Sequence, residues 1–83
     1  MRVRITIRLF ARLRDLVGSG RLIRDMPTGA SVETVWQALV QEFPAIAASR
    51  ASLAAAVNAE YARFETRIAD GDEVAFLPPV SGG

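Results

Sequence analysis

The sequence predicts an α+β domain in which a mixed β-sheet packs on one main helix. Three observations carry this. Strand-like patterns stand near both ends of the chain, one strongly amphipathic helical pattern lies between them, and short strands follow that helix. Strands before and after a single dominant helix let a sheet bury one face beneath it. In such an arrangement the first and last strands can lie side by side at the sheet centre.

Val3, Ile5, Ile7 and Leu9 alternate with Arg2, Arg4, Thr6 and Arg8, the period-2 pattern of a half-buried strand. From Phe10 to Val17 the spacing becomes helical, with Phe10, Leu13, Leu16 and Val17 expected on one face, and Gly18 and Gly20 end the helix. Arg21 to Met26 predicts a short second strand, and Pro27-Thr28-Gly29-Ala30 a loop. Ser31 has the chemistry of an N-cap, and Glu33 in the first turn suits the positive end of the helix dipole. Val32, Val35, Trp36, Leu39, Val40 and Phe43 recur at three- and four-residue steps, and Pro44 stops that helix. Trp36 is expected in the core.

Ala45 to Ser52 has no clear period and suits a helical turn. Leu53 to Val57 predicts a strand, Asn58-Ala59 a turn, and Tyr61 to Phe64 a short strand, with Ile68 an isolated apolar anchor. Asp70-Gly71-Asp72 is a turn before the last strand, Glu73 to Leu77. That strand carries Val74 and Phe76 on one face and Ala75 and Leu77 on the other.

Composition narrows the chemistry. Eighty-three residues suit one small domain, 51% hydrophobic and 23% charged, which is globular rather than disordered. The chain has no cysteine and no histidine, so it offers no thiol nucleophile, no thiolate ligand and no imidazole base. Asp70, Asp72 and Glu73 resemble a carboxylate cluster, but Asp-Gly-Asp is a common turn and no further ligand types stand nearby, so no metal site is expected. All ten basic residues are arginines, the net charge is +1, and the arginines are interleaved with apolar residues rather than massed. Nucleic-acid binding is therefore not expected. No run approaches the roughly 18 apolar residues of a membrane span, and the N-terminus lacks a signal peptide's apolar core, so a cytoplasmic protein without membrane association is expected.

The last residues, Phe76-Leu77-Pro78-Pro79-Val80-Ser81-Gly82-Gly83, run from a strand through a stiff double proline into two glycines. Pro78 and Pro79 favour an extended path, while Gly82 and Gly83 make a thin thread able to enter a channel closed to bulkier residues. A domain over 1–78 and a flexible tail over 79–83 are expected. Residues beyond Pro78 reach roughly 17 Å at full extension, enough to place a carboxylate in another protein's active site.

Leu53-Ala54-Ala55-Ala56-Val57-Asn58 and the final stretch from Asp70 to Gly83 closely resemble the small subunit of molybdopterin synthase. Phe10-Ala11-x-x-Arg14-x-x-x-Gly18 fits the same family. The resemblance spans the chain in length and element order, and Pro-Pro-Val-Ser-Gly-Gly is its specific part. It implies a β-grasp (ubiquitin-like) fold and a sulfur carrier that is no enzyme alone. In that family the terminal glycine, here Gly83, is adenylated by an activating adenylyltransferase that uses ATP, and then converted to a thiocarboxylate with sulfur from an indirect donor. The large catalytic subunit receives Pro78, Pro79, Val80, Ser81, Gly82 and Gly83, and the sulfur passes to a cyclic pterin precursor. The family implies a heterotetramer and no cofactor bound by the small subunit itself. Other readings of the same tail are the sulfur carrier of thiamine thiazole synthesis and a ubiquitin-like protein modifier.

The family presents its docking surface beside the tail, so Phe10, Arg14, Tyr61 and Leu77 are the candidates. Phe10 and Leu77 suit either core or interface. Tyr61, between Glu60 and Arg63, suits a solvated strand. Arg14 suits either pairing with an acidic group on a docking partner or a place as an exposed helix charge.

Overall fold

A computed structural model describes residues 1–78. Its elements are β1 (Arg2–Leu9), α1 (Ala11–Val17), β2 (Arg21–Pro27), α2 (Val32–Glu42), a 3-10 segment (Pro44–Ser52), β3 (Ala54–Val57), β4 (Glu60–Ala62) and β5 (Glu73–Leu77). The five strands form one sheet in the order β2-β1-β5-β3-β4. β1 and β5 run parallel at its centre, and every other pairing is antiparallel. This is the β-grasp arrangement, with the first and last strands adjacent as the pattern predicts.

Alternation in β1 and β5 decides which face is covered. Ile5, Ile7, Leu9, Val74 and Phe76 point inward and are buried against Val32, Val35, Trp36 and Leu39 of α2. Trp36 meets Phe76 edge-on, with ring centroids 5.2 Å apart, which ties the middle of α2 to the last strand. α2 begins in a capping box. Ser31 Oγ accepts from the Thr34 amide at 3.3 Å, and Thr34 Oγ1 accepts from the Ser31 amide at 3.1 Å. Glu33 stands in the first turn as expected, and its carboxylate also accepts from Arg50 and Gln37.

Two expectations need correction. Phe10 does not join the buried face of α1. It precedes the helix in an extended conformation (φ −130°, ψ 159°), and Ala11 turns left-handed (φ 52°). Of the four residues expected on one face, only Leu13 is buried, Val17 is half-buried, and Phe10 and Leu16 are exposed. The second correction concerns β4, which ends at Ala62. Phe64 has left the strand and packs against Phe76, 6.0 Å away, beneath the guanidinium of Arg50.

The Asp70–Asp72 turn uses its carboxylates on backbone. Asp70 accepts from the Arg4 amide at 2.7 Å and Asp72 from the Ala69 amide at 2.7 Å, while Gly71 supplies the left-handed residue (φ 87°). The backbone amide of Thr6 donates to the Asp72 carbonyl at 3.0 Å, so this turn delivers β5 into register beside β1. Among the described residues no helix is long and apolar enough to cross a membrane.

Candidate functional site

Among the described residues no helix lies over the face of the sheet away from α2, and cross-strand register assembles a row there. Arg21 pairs with Arg8, Arg8 with Ala75, Ala75 with Ala56, and Ala56 with Tyr61, so one line of side chains crosses all five strands. Directly opposed residues share a face. The two alanines in the middle are short, and the chains on either side are long. The result is a hollow floored by Ala56 and Ala75 and walled by Arg8, Phe10, Ala59, Tyr61, Glu73 and Leu77.

Three of the four expected docking residues meet at this hollow. Phe10 is 40% exposed and Tyr61 65%, which answers the choice between core and surface for Phe10. Leu77 is half-buried, the last residue of β5 and the step before Pro78. Arg8 bridges the rim: its guanidinium carbon lies 5.7 Å from the centre of the Phe10 ring, and Nη1 lies 3.6 Å from Glu73 Oε2.

Arg14 stands in a neighbouring depression, lined with it by Arg8, Phe10, Ser19, Gly20 and Arg21. The approach there is close. A Cβ on Gly20 would lie 3.3 Å from Arg14 Cδ and 3.5 Å from the Leu9 carbonyl oxygen, so the missing side chain at 20 makes room for the Arg14 stem. A third depression, between the start of α1 and the 3-10 segment, is lined by Phe10, Leu13, Leu53 and Pro78 among others. Phe10 borders all three. Pro79, Val80, Ser81, Gly82 and Gly83 lie outside the described residues.

Arg8, Glu73, Ala56, Ala59 and Ala75 also line the hollow, and none of them is among the docking candidates the sequence offers. A signal for two of them was present: outward positions of central strands normally carry β-branched or aromatic residues, and here they carry alanine.

Away from the hollow, three arginines pair with carboxylates: Arg24 with Glu42, Arg50 with Glu33 and Arg4 with Asp25. Arg24 grips Glu42 with two hydrogen bonds of 2.8 and 2.7 Å, binding β2 to the end of α2. Those bonds hold the Glu42 carboxyl below the ordinary glutamate range. Hydrogen bonds from Arg50 and then Gln37 do the same to Glu33, and one from Arg4 lowers Asp25. Among the described residues no group of three acidic, histidine or cysteine side chains could hold a metal ion. This surface presents an apolar hollow with an aromatic rim and an arginine flank, beside the end of the central strand.

Sheet order, the covering helix and the parallel central pair together define a ubiquitin-like β-grasp domain. Residues 7–83 match the model of the ThiS family. The molybdopterin synthase sulfur carrier subunit of Escherichia coli (strain K12) is 40% identical over 83 residues, covering 95% of this chain and 99% of that protein. Its counterpart of the same name in Arabidopsis thaliana is 37% identical over 81 residues, covering 98% of this chain and 84% of that one. Among solved structures, SAMP1 from Haloferax volcanii superposes with a TM-score of 0.82 at 34% identity, covering 96% and 99% of the two chains. The chain belongs to the ThiS family, alongside the molybdopterin synthase sulfur carrier subunits.

Proposed function

We propose that this protein is the sulfur-carrying small subunit of a molybdopterin synthase, acting through Gly83. The observation that carries the proposal is the 40% identity to a carrier subunit across nearly the whole of both chains. The geometry supports it: the central strand β5 runs to Leu77 beside an apolar hollow, so whatever docks there lies next to the start of the tail. Residues 1–78 serve as the docking body and residues 79–83 as the delivering tail.

A carboxylate is a poor electrophile. Attack of the Gly83 carboxylate on the α-phosphorus of ATP, with pyrophosphate leaving, gives an acyl-adenylate, from which a donor's sulfur at the hydrosulfide level displaces AMP to leave a thiocarboxylate. An adenylyltransferase supplies that activation and a separate donor the sulfur. The large subunit binds the tail and the cyclic pterin precursor, and a terminal glycine places no branched carbon beside the reacting carbonyl. Holding the thread in a channel makes sulfur transfer effectively intramolecular. With no histidine, cysteine or lysine in this chain, the groups that handle protons at the reacting centre belong to the partners.

Incubation with the activating enzyme, ATP and a sulfur source is expected to yield the mass gain of one oxygen replaced by sulfur. Deleting Gly83 is expected to abolish that gain and pterin conversion while binding to the large subunit survives. An unchanged mass with partners shown to be competent, or conversion without Gly83, overturns the proposal.

A second reading, a covalent protein modifier, is favoured by the likeness to SAMP1, a small archaeal modifier protein. Lacking lysine, this chain could act as a donor but offers no side-chain amine as an acceptor. Adducts that survive denaturation and reductant support this second reading. Free protein and non-covalent complexes alone leave the carrier role.

A further inference from the structure

Among the described residues, three that are not glycine adopt a left-handed backbone: Ala11 (φ 52°), Asn58 (φ 51°) and Ala59 (φ 70°). Asparagine visits that region with the help of its short polar side chain, but alanine has no such compensation. Ala59 lines the hollow on the open face, and Ala11 lines the depression on the far side of Phe10, the residue the two share. Ala11 directly follows Phe10, and Ala59 stands two residues before Tyr61. Non-glycine residues held in this region persist only where the surroundings over-determine them, and such strain gathers at working sites.

We infer that Ala11 and Ala59 are positioning residues, whose left-handed turns hold Phe10 and Tyr61 as a preset aromatic rim for the docking partner. Each turn has a specific mechanical effect. At Ala11 the chain reverses from β1 into α1 immediately after Phe10. This ends the strand before Phe10 can be drawn into the helix and leaves its ring beside Arg8. At Asn58-Ala59, two successive left-handed residues form the tight two-residue turn that matches strand twist. That turn fixes Val57 opposite Glu60 and Ala56 opposite Tyr61. A looser turn would permit a one-residue slip, and a slip of one sends Tyr61 to the other face of the sheet. With both rings already placed, docking need not order them, and that ordering would otherwise weaken binding.

Resting as it does on the docking role proposed above, this inference needs a test that separates the two. Ala11→Val and Ala59→Val replace each alanine with a β-branched residue that resists the left-handed region. Nuclear Overhauser contacts in the free protein read position directly: Phe10 ring to Arg8, and Tyr61 ring to Ala56. Each contact is expected to vanish in its own valine variant and to persist in Ala11→Gly and Ala59→Gly. Affinity for the large synthase subunit of the same organism is expected to fall about two- to tenfold in each valine variant. That loss should disappear when Phe10→Ala or Tyr61→Ala is already present, because the alanines act only through those rings.

Persistence of the ring contacts in the valine variants overturns the inference, as does an affinity loss that is independent of the aromatic residue. If the wild type does not bind the large subunit, the docking role falls, and the contacts still decide whether the alanines set the rings. Should the valine variants fail to fold, the glycine variants decide. Release of strain must raise their melting temperatures, and an unchanged or lower value overturns the proposal.

Discussion

The guanidinium carbon of Arg50 lies 3.5 Å from the centre of the Phe64 ring, while Nη2 of the same group donates to Glu33 Oε1 at 2.8 Å. One side chain thus binds the 3-10 segment to α2 and to the loop after β4, and Phe64 in turn leans on Phe76. Arg50→Ala removes a stacked cation and a half-exposed ion pair, together about 1 kcal/mol. For a domain of this size, that lowers the melting temperature by about 4–8 °C. Arg50→Lys is expected to recover only part of the loss, because an ammonium cannot stack and donate through a fork at once. Thermal unfolding of the two variants checks this.

Stability should fall at acid pH. Glu33, Glu42 and Asp25 are all held below their ordinary values by arginine hydrogen bonds, so in this range the unfolded chain takes up protons before the folded one does. Their contribution is fully present above the ordinary carboxylate range of about 4. It is lost as pH falls through the depressed folded values. Denaturant midpoints measured from pH 7 downward are expected to hold steady and then drop, and Glu42→Gln should flatten the drop.

Docking should depend on the aromatic rim and spare the fold. Tyr61→Glu places a carboxylate on an exposed site of β4, where surface changes shift stability by about 0.5 kcal/mol or less. In the docking proposed above, the same change is expected to weaken binding to the large subunit by about 30-fold or more. Calorimetry and circular dichroism on one preparation separate the two effects. Leu77→Glu is expected to act in the same direction with a larger loss of stability, because Leu77 is half-buried.

Gly20→Ala addresses Arg14. The new methyl would meet Arg14 Cδ at 3.3 Å, and a flexible stem can yield by swinging away. Melting temperature should change little, whereas affinity for the large subunit should fall if the depression beside Phe10 contributes. Loss of affinity equal to that of Arg14→Ala, and none beyond it in the double variant, is the expected result.

Much of the fold is legible in the residues. Val3 to Leu9 alternates cleanly because one face of β1 is buried, and α2 repeats at helical spacing because Val32, Val35, Trp36 and Leu39 meet the sheet. Helical spacing misplaces Phe10 for a physical reason. Hydropathy records side chains, whereas the event that turns Phe10 outward is the left-handed backbone of Ala11. Phe64 misleads in a similar way, since its burial comes from packing on Phe76 rather than from strand alternation. The floor of the hollow was harder to see. Ala56 and Ala75 become neighbours only through the register of β3 against β5, a long-range pairing that no local pattern contains. Tyr61 and Leu77 could be nominated in advance, but their meeting at one hollow depends on that same register.

The central position of β5 has a mechanical consequence. Leu77 leaves a strand bonded on both sides, to β1 in parallel and to β3 in antiparallel fashion. Tension applied beyond Pro78 would act along the strand axis and load both ladders in shear, many bonds at once. A tail hung from an edge strand such as β4 would instead peel, its bonds failing one after another. A partner that grips and draws the end of this chain therefore pulls against two ladders at once, through a strand whose Phe76 meets Trp36 edge-on.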